Sequence, residues 1–214
     1  TTLPAGAAVS NAAQAVTDNP TIDFGLTPSY SLGNRVWFDT NNDGILNNGE
    51  TPAAGVKVQL LDSTGAAIAG QTVLTDANGY YRFDTLNAGT YSVQITPDNW
   101  TGLSGNLPLG TTAGASTAAT GAPLAGYLSS TPTDTAANST GTGSVNNTDK
   151  GINPATAAAY TASGVTSNPV TLGAGNQPTV TALDAGATGA GANAASGDST
   201  DNLTVDFGFY RLTV

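Results

Sequence analysis

Asp39-Thr-Asn-Asn-Asp-Gly-Ile-Leu-Asn-Asn-Gly-Glu50 sets oxygen-bearing side chains at positions 1, 3, 5, 9 and 12 of a twelve-residue loop, with Gly44 at position 6. Asp39, Asn41, Asp43, Asn47 and Glu50 thereby fit the D-x-[DN]-x-[DN]-G-x5-E pattern, in which carboxylate and amide oxygens surround calcium and the glycine makes the sharp turn. Ordinary Asn/Asp/Gly turns need fewer such positions. Three carboxylates (Asp39, Asp43 and Glu50) in so short a bend repel one another unless a cation supplies the missing charge. The expected chemistry is Ca2+ capture. No helical pattern flanks the loop, so the ion is expected to stiffen it rather than to switch it.

Composition narrows the rest. Of the charged residues, five are basic and fifteen acidic, giving a net charge of −10, and Glu50 is the only glutamate. Asp favours turns where Glu favours helices, so the skew points to acidic loops between strands. No basic patch is present, which argues against nucleic acid and anionic membrane surfaces, and the lack of a long apolar run argues against direct membrane insertion. Cys, His and Met are absent, which removes disulfides, thiol or imidazole catalysis and soft-metal ligation. With a lone Glu given to metal and scattered Asp, no acid–base pair remains, and an enzyme is not expected. There is no run of eighteen apolar residues and no secretory leader pattern. A mature form starting at Thr1 and an excised piece remain open. Extracellular localisation is expected from the calcium loop and composition.

The elements that must hold the loop read as strands. Ser31–Asp39 alternates with an aromatic on each face, and Val56–Asp62 alternates with Val56, Val58 and Leu60 inward and Lys57 and Gln59 outward. Asp76-Ala-Asn78-Gly79 is a hairpin signal between Thr72–Thr75 and Tyr80–Asp84, and Asn87-Ala-Gly89 turns into Thr90–Thr96. The four strands from Val56 to Thr96 are expected to form an antiparallel meander. Beyond Pro97 the pattern thins: Leu124–Leu128, Ala159–Val165, Asn168–Leu172 and Pro178–Leu183 are weak strands, 110–122, 129–148 and 185–202 are low-complexity loops, and Ala155–Ala159 is loop. Trp37 is expected in the sandwich packing and Asp206 on a solvated face. Asp18–Leu26 and Asp201–Phe209 repeat one another, each reading D-N-x-T-[IV]-D-F-G. The expected organisation is a joining arm at 1–30, whose strand at 21–26 is equivalent to a preceding unit's closing strand, and a module at 31–214 with extended loops at about 97–200.

Ser31-Leu-Gly-Asn-Arg-Val-Trp-Phe-Asp39, the acidic loop, Thr75-Asp-Ala-Asn-Gly-Tyr-Tyr-Arg-Phe-Asp84, Leu86, Gly89-Thr-Tyr91 and the Thr-Val-Asp-Phe-Gly-Phe close together resemble the serine–aspartate-repeat B-type modules, related to the collagen-adhesin B domains of bacterial surface proteins. The resemblance implies an all-β, immunoglobulin-like β-sandwich with long loops that binds calcium. It implies that Asp39, Asn41, Asp43 and Glu50 hold an ion with help from the Ile45 carbonyl, and that Asp76 and Asn78 sit in a neighbouring metal-binding turn. Asn146–Gly151 looks like the family's acidic Asx-rich loop, but Thr148 and Lys150 replace carboxylates or amides there. The Lys–Asn crosslink of some collagen-adhesin B domains is not expected, because Lys57 points outward, Lys150 lies in a loop and Glu50 belongs to the calcium pattern. The expected role is a calcium-stabilised repeat or protomer of a surface fibre, stalk or layer, partnered by copies of itself or adjacent tandem modules, with β-strand exchange as one way of joining. The alternative is an adhesin module that recognises a surface ligand such as a host protein or glycan.

Overall fold

Alternating apolar residues turn their inward faces on one another across two sheets. A computed structural model describes residues 27–111, 116–131, 147–177 and 200–211. The strands are β1 (Tyr30–Phe38), β2 (Thr51–Pro52), β3 (Lys57–Leu61), β4 (Ala67–Leu74), β5 (Tyr80–Leu86), β6 (Gly89–Ile95), β7 (Asn106–Pro108), β8 (Ser116–Ala118), β9 (Leu128–Ser129), β10 (Gly151–Ile152), β11 (Val165–Ser167), β12 (Val170–Leu172), β13 (Asp201–Asn202) and β14 (Phe207–Tyr210). Two short helices, α1 (Asp98–Thr101) and α2 (Ala157–Ser163), join them. Neither is long and apolar enough to cross a membrane. The expected strands at 21–26 and 178–183 lie outside the described residues.

The fold is an all-β sandwich. In the first sheet β1 pairs with β13 and β14 in parallel along one edge, with β5 and β2 antiparallel along the other, and β9 extends the sheet beyond β14. The second runs β10-β11-β6-β3-β4, with β12 also on β6. Leu32, Val36, Tyr81, Phe83, Val205, Phe207 and Phe209 from the first sheet meet Val58, Leu60, Val73, Val93 and Ile95 from the second in one continuous core. Burying each such side chain stabilises by roughly 1.5–3 kcal/mol.

Two expectations change here. The four strands are not a meander: β4 and β6 lie on β3, whereas β5 lies on β1 in the opposite sheet. The turn at Asp76–Gly79 forms as expected, with the Gly79 N–H donating to the Asp76 carbonyl at 2.9 Å. It delivers the chain to the other sheet, where the Val36 N–H donates to the Gly79 carbonyl at 2.8 Å. A turn motif fixes the reversal but not which neighbour the departing strand finds.

The thinly patterned region is more structured than its sequence suggests. Leu124–Leu128 is mostly turn, with only Leu128–Ser129 extended, and the stretch 110–122 contains β8, which pairs with β7. Ala157–Ser163, expected as loop and then strand, is helical, and its end is fixed by Gly164. At φ 68°, a Cβ on Gly164 would stand 2.0 Å from the Ile95 carbonyl oxygen. In α1, Asn99 is fully buried and acts as a piece of false strand: its amide donates to the Lys57 carbonyl and its Oδ1 accepts the Lys57 N–H, both at 2.8 Å. Such a bond pattern is invisible to periodicity.

Candidate metal centre

The loop between β1 and β2 is built by its own short side chains. Asp39, only 2 % exposed at the end of β1, accepts the Asn42 N–H at 2.6 Å on Oδ1 and the Gly44 N–H at 2.9 Å on Oδ2. Gly44 at φ 72° makes the sharp bend. Asn41, Asp43 and Asn47 come together: the Asp43 Oδ2 accepts both amide groups at 2.8 Å, and its Oδ1 accepts the Ile45 N–H at 2.9 Å. The Ile45 bond is the largest of the interactions that hold the Asp43 carboxyl below its ordinary value. Glu50 closes the loop, accepting the Thr40 N–H on Oε1 at 2.8 Å and the Asn47 N–H on Oε2 at 3.0 Å.

Among the described residues, no three acidic side chains converge on one point, because each carboxylate holds local N–H groups. The donor set nonetheless suits a hard divalent cation. Every candidate ligand offers oxygen, the preference of calcium. Loop positions 3, 5 and 9 already meet at Asp43, and each amide there carries an oxygen on the same terminal group as the nitrogen it now presents. Asp39, which accepts one N–H on each oxygen, keeps lone pairs for a metal. The Ile45 carbonyl takes no part in the bridge to Thr148, which uses the Gly44 carbonyl and the Leu46 N–H.

Asp76 and Asn78 lie in a separate tight turn. The Asp76 Oδ1 accepts the N–H groups of Asn78 and Tyr80 at 2.8 and 3.0 Å, and the Asn78 carbonyl accepts the Arg35 Nε–H at 3.1 Å. Arg35 also lies over the Tyr80 ring, 4.9 Å from its centroid.

A cluster the sequence reading placed on the surface sits under the acidic loop. Asp206, expected on a solvated face, is fully buried, its two oxygens accepting the N–H groups of Arg35 and Asn147 at 3.1 and 2.9 Å. Lys150, expected in an open loop, is fully buried as well, with its ammonium on the Thr148 hydroxyl. Asp149 is buried, and desolvation pushes its carboxyl well above the usual range against the pull of the Gly151 and Gly208 N–H groups. The reason is long-range: residues 147–150 run beside Asp206, with the Lys150 N–H on the Asp206 carbonyl at 2.8 Å, and cover that side of the closing strand. They also reach the loop through the Leu46 N–H to the Asn147 carbonyl and the Asp149 N–H to the Gly44 carbonyl, both 2.8 Å.

Trp37 is fully buried, but on the face of β1 opposite the core, against Gly208. Trp100 packs on the core with its ring centroid 5.3 Å from that of Tyr160, and its Nε1–H donates to the Tyr127 carbonyl at 2.9 Å. Trp100, Tyr127, Leu128 and Tyr160 line an open, mostly apolar pocket of about 390 Å³.

The sequence of this loop and of the strands around it has known counterparts. Residues 30–120 match the profile described as SdrD B-like domain. Over those residues the chain is similar to SdrD B-like domains. It is 54 % identical over 80 residues to a fibrinogen-binding protein of Staphylococcus epidermidis, covering 36 % of this chain and 7 % of that protein. Serine-aspartate repeat-containing protein F of Staphylococcus epidermidis is 47 % identical over 91 residues, 42 % of this chain and 5 % of its own. Serine-aspartate repeat-containing protein C of Staphylococcus aureus is 49 % identical over 78 residues, 36 % and 8 % respectively. The chain thus spans under a tenth of the length of these relatives. The bacterial-surface localisation expected from the sequence agrees with that of the serine-aspartate repeat-containing relatives.

Proposed function

We propose that the chain is a calcium-stabilised structural repeat of a bacterial surface fibre, stalk or layer, without catalytic activity. The observation that carries this reading is the meeting of Asn41, Asp43 and Asn47 at one carboxylate oxygen, in a loop hydrogen-bonded to the segment that holds the closing strand. Asp39, Asn41, Asp43, Asn47, Glu50 and the Ile45 carbonyl would hold one Ca2+. The ion would supply the positive charge that the crowded acidic side chains lack. Asp76 and Asn78 form the second candidate place for an ion, with the turn already satisfying one Asp76 oxygen.

Stiffness follows from connectivity. The loop grips residues 147–149, these grip Asp206, and Asp206 grips β1 through Arg35. An ion at one end of that series raises the cost of opening the other. Chelation should lower the melting temperature by several degrees or more and expose the 39–50 bond segment to protease. An unchanged melting curve and unchanged cleavage on chelation would reject the role of the ion.

The aromatic pocket favours a second reading, that of a ligand-binding adhesin module. One relative is called a fibrinogen-binding protein, and Trp100 lines the pocket as a built-in reporter. Saturable change in tryptophan emission on adding a host protein or glycan, abolished by Tyr160→Ala, would support it. A flat titration would leave the structural role alone.

A further inference from the structure

The sequence holds two Asn-Gly pairs, Asn48-Gly49 and Asn78-Gly79, and one Asp-Gly pair, Asp43-Gly44. Such pairs share one piece of chemistry. Glycine has no side chain to shield its backbone nitrogen, so that nitrogen can attack the carbonyl carbon of the side chain before it. The attack needs a side chain able to turn, an N–H without a partner and a backbone able to rotate between them. The fold treats the three pairs differently.

At Asn78-Gly79 the backbone is pinned. The Gly79 N–H donates to the Asp76 carbonyl at 2.9 Å, and the buried Gly79 offers its carbonyl to the Val36 N–H at 2.8 Å. The Asn78 N–H and carbonyl are bonded to Asp76 and Arg35. At Asp43-Gly44 the Gly44 N–H donates to the Asp39 Oδ2 at 2.9 Å, and the Asp43 carboxylate is taken up by Asn41, Asn47 and Ile45. Asn48-Gly49 has none of these restraints. Both residues are exposed, and among the described residues neither the Asn48 side chain nor the Gly49 N–H has a hydrogen-bond partner. Nothing lies within 4 Å of where a Cβ on Gly49 would stand. The flanking bonds, Glu50 N–H to the Asn47 carbonyl at 3.2 Å and Asn47 N–H to the Glu50 Oε2 at 3.0 Å, bracket the pair without pinning it.

We infer that Asn48 is a modification site at which the chain deamidates spontaneously. The Gly49 nitrogen bonds to the Asn48 Cγ, the Cγ–Nδ2 bond breaks, and the Gly49 proton leaves with Nδ2 as ammonia, closing a five-membered imide. Water then opens the ring. Attack at the side-chain carbonyl gives aspartate, and attack at the main-chain carbonyl leaves the chain running through Cγ as isoaspartate. Water is the only co-reactant, and nothing is oxidised or reduced. Either product adds a carboxylate to a bend that already holds Asp39, Asp43 and Glu50. Isoaspartate also lengthens the main chain by one methylene between Asn47 and Glu50, whose two mutual bonds close the loop. This goes beyond the structural-repeat reading, because it stands on the loop's own hydrogen bonds and needs no ion.

The unaltered chain, held at mildly alkaline pH with a chelator, is cut with trypsin, which cleaves after Arg35, Lys57 and Arg82. Residues 36–57 then carry Asn48 and residues 58–82 carry Asn78, so mass spectrometry reads both pairs from one sample. Asn48 should convert, to aspartate and isoaspartate together, about tenfold or more faster than Asn78, which must first give up its hydrogen bonds. Unfolding in urea should bring the two rates together, and Asn48→Ser should abolish conversion within 36–57. Equal rates in the folded chain, or an Asn48 that stays intact there while it reacts in urea, would overturn the inference. So would a rate gap that persists in urea, or conversion within 36–57 that survives Asn48→Ser. With chelator present throughout, the result does not depend on whether the loop binds calcium, and a failure of that reading shows separately.

Discussion

Gly79 illustrates how much a single position decides. Its φ is 78°, and a Cβ there would lie 2.3 Å from the Val36 carbonyl oxygen, which accepts the Ala53 N–H at 2.9 Å. Gly79→Ala is therefore expected to cost on the order of 2–4 kcal/mol in chemical denaturation, combining a left-handed backbone with a collision against rigid main chain. Asp76, three residues earlier, separates two roles by the same measurement. As a turn former it holds two N–H groups, and Asp76→Ala should cost about 1 kcal/mol whether or not calcium is present. A cost that appears only with calcium would instead make Asp76 a ligand. Both residues were legible because turn chemistry is local in sequence. Asp206 and Lys150 were not: the Asp206 partner Asn147 lies 59 positions away, and strand alternation by itself turned the carboxylate toward water.

At the scale of elements, the strands were readable where inward and outward residues alternate, as in β3, and the core on both sheets follows that pattern. Their partners were not readable. Tyr80 and Tyr81 are both buried, so β5 shows no clean exposed face, and nothing in the Asp76–Gly79 turn distinguishes a return to β4 from a crossing to β1. The helices escaped because α1 has four residues and α2 seven, too few for a 3.6-residue period to register. Contacts between elements carry their own predictions. Tyr81, fully buried, donates to the Val205 carbonyl at 2.5 Å, so Tyr81→Phe should destabilise by about 1–3 kcal/mol by stranding that carbonyl. Where α1 meets β3, burial raises the Asp98 carboxyl, but the Lys57 ammonium at 2.7 Å and the Thr96 hydroxyl outweigh it, and the net shift is downward. A lowered carboxylate contributes stability that is present above its unfolded value near about 3.9 and fades as pH falls through the folded one. Asp98→Asn should flatten that acid limb of the stability curve. The difference should stay under about 1 kcal/mol, since both partners are partly exposed.

Taken as a whole molecule, the sandwich places its acidic loop and its last strand in one mechanical circuit. The Asp39 N–H donates to the Phe209 carbonyl at 2.8 Å, the Gly44 and Leu46 backbone holds Asn147 and Asp149, and the Asp149 Oδ1 accepts the Gly208 N–H at 3.0 Å. An ion that fixes the loop thus acts on β14 from both sides, without touching it. Hydrogen exchange measured with and without calcium tests that coupling. Protection should rise with calcium at the amides of Asp43 and Asn47 in the loop, and also at Arg35, Asn147, Lys150 and Gly208, which bond the closing strand or belong to it. Glu50→Gln should reduce both rises together, because it weakens the loop's last charged ligand position while leaving the core untouched. If protection rises only between residues 40 and 49, the ion orders a surface bend and nothing more. In that case the sandwich owes its rigidity to its hydrophobic interior, and calcium could not govern how one module holds the next.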